Sequence, residues 1–274
     1  MRKNIRDRMS SADLETVSPS SLINARPIVA KVREFFTSSK LSQGMDEVNP
    51  VSELSHLRHL SSMGPGGLVR ERAGYDVRDA HPTHYGRICP VETPEGANVG
   101  LVLNIAQYAK INEYCFIETP YLVVKDGKVT NEIVYLDADA EMKEVIADAS
   151  AELNEDGSFK QERVSARRSL APSLVDREEI TLMDSAHNQI LGITAGLVPF
   201  IEKNRVDRSL TGSNMQRQAV PLLRPAAPTV GTGIEHELAL NTSQIVTAKG
   251  DGEVLSADAN KIVIKYKDEQ KVYY

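Results

Sequence analysis

Four histidines, His56, His59, His81 and His84, fall within one stretch of the chain and invite the question of a metal ion. His56 and His59 stand at i and i+3 on a segment with helical patterning, and His81 and His84 span a turn. No zincin motif and no Cys/His finger spacing accompanies them, so no metal site is expected. Donation to backbone carbonyls or to phosphates is the expected use of these imidazoles. Two arginine clusters have more shape. Arg70, Arg72, Arg78 and Arg87 punctuate a Gly/Pro-rich stretch and alternate with Glu71, Asp76 and Asp79. A guanidinium fork grips phosphate bidentately, so phosphate binding is one reading. Pairing with the interleaved acids is the other, and for Arg72 and Arg78 both stay open. Arg205, Arg208 and Arg217 share a polar run with Asn214, Gln216 and Gln218 beside Gly212. That run suits contacts to nucleotide oxygens, and it suits an ordinary capped surface helix. The chain carries no GxSxG, no P-loop and no GxGxxG entering a helix, which excludes a free-standing hydrolase, kinase or dehydrogenase.

Short elements must position these side chains. Pro27 to Phe36 reads as a helix, with Pro27 in its first turn and Ile28, Val32, Phe35 and Phe36 on one face. A second helix starts at Asn49-Pro50, with Asn49 as cap, carries Val51, Leu54 and His56, and fails before Gly64-Pro65-Gly66-Gly67. From Val69 to Gly100 the chain is dense in Gly, Pro and His, which predicts irregular loops held in shape for a purpose, or a plain connector. Tyr121–Val124 and Val129–Leu136 flank Asp126-Gly127, a hairpin signal, and Asn154 to Ser158 repeats the idea. Gly250–Leu255, a turn at Asp258-Ala259-Asn260 and Lys261–Tyr266 predict a closing β unit, and strand-like sequence runs on to Tyr273-Tyr274. The expected class is α+β with several domains.

The bulk properties bound the partners. The 274 residues are 41% hydrophobic and 26% charged, enough for real cores, but with 5% aromatics and no tryptophan those cores must rest on aliphatic side chains. The net charge of −6 argues against an independent nucleic-acid binder. It is also segregated: Asp126 to Glu162 holds eleven carboxylates against three lysines, while the opening 40 residues lean basic. The acidic block reads as a solvated lobe facing away from nucleic acid. Cys89 and Cys115 lack CxxC spacing and are expected to be reduced. Neither a membrane span nor an apolar signal core is visible, which predicts a cytoplasmic location.

Particular strings then resemble one family. Phe36 to Gln43, Met45-Asp46 and Asn49-Pro50 resemble the entry to the rifamycin-binding region of bacterial RNA polymerase β subunits. Ser55-His56-Leu57-Arg58 and Met63 to Leu68 continue the likeness. Arg70 to Gly74, Val77 to Asp79, His81 to Arg87 and Cys89 to Gly96 look like the segment through the second fork loop. Asn214 to Pro221 and Val230 to Gly233 are similar to further family strings. The likeness spans nearly the whole chain and is tightest over 36–104 and 207–233.

That resemblance implies an internal fragment of a subunit several-fold longer, nucleoid-associated within the cytoplasm, which acts in DNA-directed nucleotidyl transfer only when assembled. The implied domains are a helical remnant of a preceding lobe (1–40), a fork and rifamycin-pocket domain (41–118), an acidic α+β external lobe (119–185) and the start of the hybrid-binding active-centre domain (186–274). The loop from Leu60 to Val69 resembles the fork bordering the downstream edge of the template–RNA hybrid. Ser42, Gln43, Asp46, His56, Arg58, Leu60, Ser61, Glu95, Asn98 and Val102 match the rifamycin pocket. Arg208 matches the arginine on the incoming triphosphate, and Asn214, Arg217 and Gln218 fall in the nucleotide- and RNA-binding set. The implied partners are β′, α and the other polymerase subunits, template DNA, transcript and ribonucleoside triphosphates. Catalytic Mg2+ would be held by β′, so no catalytic residue and no metal ligand is expected here, and the isolated chain is expected to be inactive. This sequence departs from the pattern at Gly44, where an aromatic wall is missing, at Leu57 and His59, which replace basic residues, and at Arg205 and Asp207 beside Arg208. The rival expectation is a nonproductive structural fragment that binds neither nucleotide nor partner subunits.

Overall fold

The computed structural model describes residues 2–11, 22–267 and 269–274. They divide into two units, one of residues 1–45 with 64–67 and the other of residues 46–63 with 68–274. The first unit holds α1 (Arg2–Ser11) and α2 (Arg26–Ser38). Pro27 sits in the first turn of α2, where a missing N–H is harmless, and Phe35 meets Phe36 edge-to-face at 5.5 Å. The apolar stripe of this helix, Ile28, Val32, Phe35 and Phe36, is exposed.

In the second unit α3 (Pro50–Leu57) begins where the sequence places it. Asn49 Oδ1 accepts the Ser52 N–H at 2.8 Å and Ser52 Oγ accepts the Asn49 N–H at 3.1 Å, a reciprocal cap that satisfies two orphan donors. The chain then enters β1 (His59–Ser61), which pairs antiparallel with β2 (Val102–Asn104) and sets Ser61 opposite Val102. The stretch between holds two 3₁₀ turns, Arg70–Arg72 and Pro82–His84, and otherwise loops. Arg78 fastens it from within, donating Nη1 to the carbonyls of Ala97 and Val99 at 2.8 Å each. Gly100, at φ 73°, lies so close to the Arg78 backbone that no side chain fits there.

A seven-stranded sheet follows: β3 (Lys110–Ile111), β4 (Ile117–Lys125), β5 (Lys128–Leu136), β6 (Val145–Ala147), β7 (Arg163–Arg168), β8 (Ala171–Asp176) and β9 (Leu182–Asp184). The strand order is β3-β4-β9-β6-β7-β8, with β5 also on β4; the β6–β9 pair is parallel and the others antiparallel. Asp126 and Gly127 turn the β4–β5 hairpin at φ 51° and 71°, the left-handed geometry that Asp-Gly tolerates. The short helix α4 (Ala138–Glu141) leads from β5 to β6. Phe159, fully buried, follows the Asn154–Ser158 turn into a core of Val124, Ala147, Val164, Ile180 and Met183. Burying that ring contributes about 1.5–3 kcal/mol.

Cys115, exposed in the β3–β4 connection, also adopts a left-handed φ, 66°. The Asn112 Oδ1 holds it there by accepting the N–H groups of Tyr114 and Phe116 at 3.0 and 2.9 Å. A non-glycine residue pays about 1–2 kcal/mol for this conformation. Cys115→Gly is therefore expected to stabilise the chain by about 0.5–1 kcal/mol after its own chain entropy is counted. Chemical denaturation checks this, and a lowered midpoint would contradict it.

The remainder holds α5 (Ile193–Gly196), α6 (Val206–Gln216) and α7 (Glu235–Asn241), then a three-stranded antiparallel sheet of β10 (Glu253–Ala257), β11 (Ile262–Lys265) and β12 (Gln270–Tyr273). Cys89, Val91 and Ala195 form the small core beneath α6 with Leu210 and Ile201. Among the described residues no helix is long and apolar enough to cross a membrane.

Candidate functional site

Helix α6 carries the second arginine cluster, and two sets of side chains fix it. Asn49, besides capping α3, points its Nδ2 at the carbonyls of Gln216, Arg217 and Ala219, at 3.1, 3.2 and 2.7 Å. Thr211 donates to Glu95 Oε1 at 2.6 Å, and Asn214 Nδ2 donates to the Thr93 carbonyl at 3.1 Å. Both partners lie on the loop between Cys89 and Val102. Glu53 of α3 reaches past α7: it accepts from Thr242 Oγ1 at 2.8 Å and from the Ser243 N–H and Oγ at 3.0 and 2.5 Å. Those donors, the Ser243 hydroxyl first, hold its carboxyl below the usual range. The ends of α6 and α7 are thereby tied to one short helix.

Beneath them Glu92 is buried, accepting from Ser55 Oγ at 3.3 Å. Burial pushes its carboxyl above the usual range, opposed by Thr194, the Arg217 charge and Ser55. A side chain at position 192 would have to displace the buried Glu92 carboxylate, whose Oε2 lies against that position.

Arg208 stands in the first turn of α6 with its side chain exposed. Asp207 pairs with Arg205 at 3.2 Å, and among the described residues no carboxylate lies within ion-pair distance of Arg208. Arg217 is half-buried, its guanidinium donating to Asn214 Oδ1, while the Gln218 side chain is exposed. Asn214 therefore lies within the fold's own bonding.

Ser42 and Gln43 belong to the first unit; Asp46, His56, Arg58, Leu60, Ser61, Glu95, Asn98 and Val102 belong to the second. His56 Nδ1 accepts the Asp46 N–H at 3.0 Å. Arg58 donates to the carbonyls of Ala106, Ala109 and Gln107 at 2.5, 3.3 and 3.4 Å. Burial lowers its pKa against the opposing charge of Glu92. Leu60 packs on Ile105, Ala106 and Ala109, and Ser61 Oγ bonds the Met63 backbone. Val102 is half-buried, Glu95 exposed, and Asn98 Oδ1 is buried without a hydrogen-bond partner among the described residues.

The imidazoles of His56, His81 and His84 use Nδ1 to accept backbone N–H groups, from Asp46, Thr83 and His81, because turn starts leave donors that need acceptors. Burial, and then the charges of Arg217 and His56, lower the pKa of the His59 imidazole. Among the described residues no group of three His, Cys, Asp or Glu side chains could hold a metal ion. One reading of the sequence needs correction, that of Arg87. Read as a phosphate ligand or a partner of nearby acids, it is neither. It is buried, pairs with Glu141 at 2.5 Å, and donates to the carbonyls of Ile117 and Leu136 at 3.0 Å each. Arg78 likewise serves carbonyls rather than acids. The sequence reading missed Glu53, Glu92 and the reach of Asn49, because their partners are distant in the chain; no local pattern marks them.

Two family models match the chain: RNA polymerase Rpb2, domain 3, over residues 43–111, and RNA polymerase beta subunit external 1 domain, over residues 121–186. Proteins named DNA-directed RNA polymerase subunit beta are similar throughout. The one from Erythrobacter litoralis is 54% identical over 97% of this chain and 19% of its own length. That from Rhizobium etli is 54% identical with the same coverage, and that from Syntrophotalea carbinolica 53% identical over 99% of this chain and 20% of its own. The chain spans about a fifth of the length of these curated relatives.

Proposed function

Because the chain belongs to the bacterial RNA polymerase β-subunit family, of which it carries one segment, we propose that it builds the nucleotide and RNA–DNA hybrid side of the active centre for DNA-templated nucleotidyl transfer. The observation that carries this reading is α6, clamped to α3 and to the Thr93–Glu95 loop while Arg208 projects from its first turn without a carboxylate partner among the described residues. Phosphoryl transfer asks the protein for fixed positive charge on the phosphates more than for covalent chemistry. A rigid helix presenting an uncommitted guanidinium meets that demand, whereas an ion-paired one would not.

Mg2+ belongs, in this reading, to the β′ subunit and would neutralise phosphate charge there; no step is assigned to a metal held by this chain. The partners are β′, α and the other core subunits, with template DNA, transcript and ribonucleoside triphosphates. The fork is the Leu60–Val69 loop. The second unit's share of the rifamycin-like surface draws on Asp46, His56, Arg58, Leu60, Ser61, Glu95, Asn98 and Val102. The seven-stranded acidic sheet serves as an external lobe, away from nucleic acid.

A transcript ending in photoreactive thiouridine, held in an enzyme assembled with a β subunit carrying this segment, tests the placement. Irradiation is expected to crosslink it to peptides within residues 41–61 and 205–218. Crosslinks confined to other regions, from an enzyme that extends RNA normally, would contradict it. An assembled enzyme that neither binds nor extends RNA would favour the nonproductive fragment.

A further inference from the structure

Arg217 is held at two points. Its backbone carbonyl accepts from Asn49 Nδ2 at 3.2 Å, and its guanidinium donates to Asn214 Oδ1 three residues earlier on the same helical face. Asn214 also faces away from the arginine, giving its Nδ2 to the Thr93 carbonyl at 3.1 Å. Thr93 is itself locked, because its Oγ1 donates to the Val102 carbonyl and accepts the Gly100 N–H, each at 2.9 Å. The carbonyl that anchors Asn214 thus belongs to a loop closed on itself, the same loop that presents Glu95 to Thr211. An asparagine amide offers one oxygen and one NH2 group, and here each end already has a protein partner. An arginine free of such a partner spreads over many rotamers; one held by an acceptor presents its remaining N–H groups in one direction.

We infer, on the proposed placement of α6, that Asn214 is a positioning residue for Arg217 rather than a contact to nucleotide or RNA. It aims the guanidinium and ties that aim to the Thr93 loop. Backbone clamping by Asn49 keeps α6 in place when Asn214 is removed, so the aim is lost without the helix.

The test uses polymerase reconstituted with a full-length β subunit carrying this segment and compares Arg217→Ala, Asn214→Ala and the double variant. The readouts are the lifetime of halted complexes, KM and kcat for single-nucleotide addition, and the fraction of active enzyme by titration. Arg217→Ala is expected to shorten halted-complex lifetime about 10-fold, the scale of one charge-assisted contact, and Asn214→Ala about 3- to 10-fold. The double variant should match Arg217→Ala within about twofold, as residues acting through one another do. Losses that multiply would make Asn214 an independent contact and overturn the inference. So would an unaffected Asn214→Ala beside an impaired Arg217→Ala, or a loss explained wholly by a smaller active fraction. An unimpaired Arg217→Ala would instead withdraw the RNA-side placement of α6, and the inference with it.

Discussion

Replacing Asp184 by alanine is expected to destabilise the chain by about 3–5 kcal/mol, because the change leaves a buried guanidinium without its counter-charge. Asp184 closes β9 with its side chain 1% exposed, and Arg167 of β7 grips it with two N–H groups at 2.7 and 2.8 Å. Tyr85, from the loop region outside the sheet, donates its hydroxyl to the same carboxylate at 2.8 Å, and its ring lies 3.7 Å from the guanidinium carbon. Burial works against the Arg167 charge, and the hydrogen bonds and charge of Asp184 reverse that effect, holding it above the usual arginine range. Burial, then the Asp184 charge, pushes the Tyr85 hydroxyl up as well, so it stays protonated and available as a donor. Asp148, at 3.4 Å from Arg167, is too exposed to substitute for the lost carboxylate. The pair also fastens the sheet to the loop carrying Tyr85, so the loss should extend beyond β7 and β9. Adding Arg167→Met should restore much of the stability, since an apolar side chain of similar size removes the stranded charge. Urea unfolding followed by circular dichroism suits a chain without tryptophan. A loss below about 1 kcal/mol for Asp184→Ala would mean that the pair behaves as a solvated surface bridge.

Local chemistry was legible in the sequence and distant chemistry was not. Asn49-Pro50 announces α3 because a cap and a first-turn proline act within four residues. Asp126-Gly127 announces the hairpin because few other pairs accept two left-handed conformations in a row. The α+β class and the closing β unit follow from the same kind of short-range pattern. Arg87 shows where this fails. Its spacing among Glu71, Asp76 and Asp79 suggested phosphate or neighbouring acids, yet its partners are Glu141 and carbonyls on β4 and β5. Glu53 stands in the first turn of α3, where no local pattern marks it, and only the fold brings Thr242 and Ser243 to it. At the site, composition left Arg208 open between a nucleotide contact and a place on an ordinary capped surface helix. The structure gives Asp207 to Arg205, which removes the nearest structural explanation for Arg208.

Removing Arg208 is accordingly expected to act on nucleotide use and not on folding. Its side chain is exposed on the first turn of α6, so truncation opens no cavity and strands no buried partner. In the proposed active centre the guanidinium meets the β- and γ-phosphates, whose charge must be balanced as the α-phosphate is attacked. One charge-assisted contact is worth about 1.5–3 kcal/mol, or about 10- to 150-fold in kcat/KM. Arg208→Lys should recover part of the loss, because a point charge replaces the fork without its bidentate geometry. Arg205, already paired with Asp207, should be far less sensitive to the same truncation. The deciding measurement is single-nucleotide addition by polymerase reconstituted with a full-length β subunit carrying Arg208→Ala in this segment. A raised KM for the nucleotide, with kcat/KM lowered about 10- to 150-fold and assembly intact, is the predicted result. An unchanged kcat/KM in an equally well assembled enzyme would contradict the placement of α6 at the nucleotide.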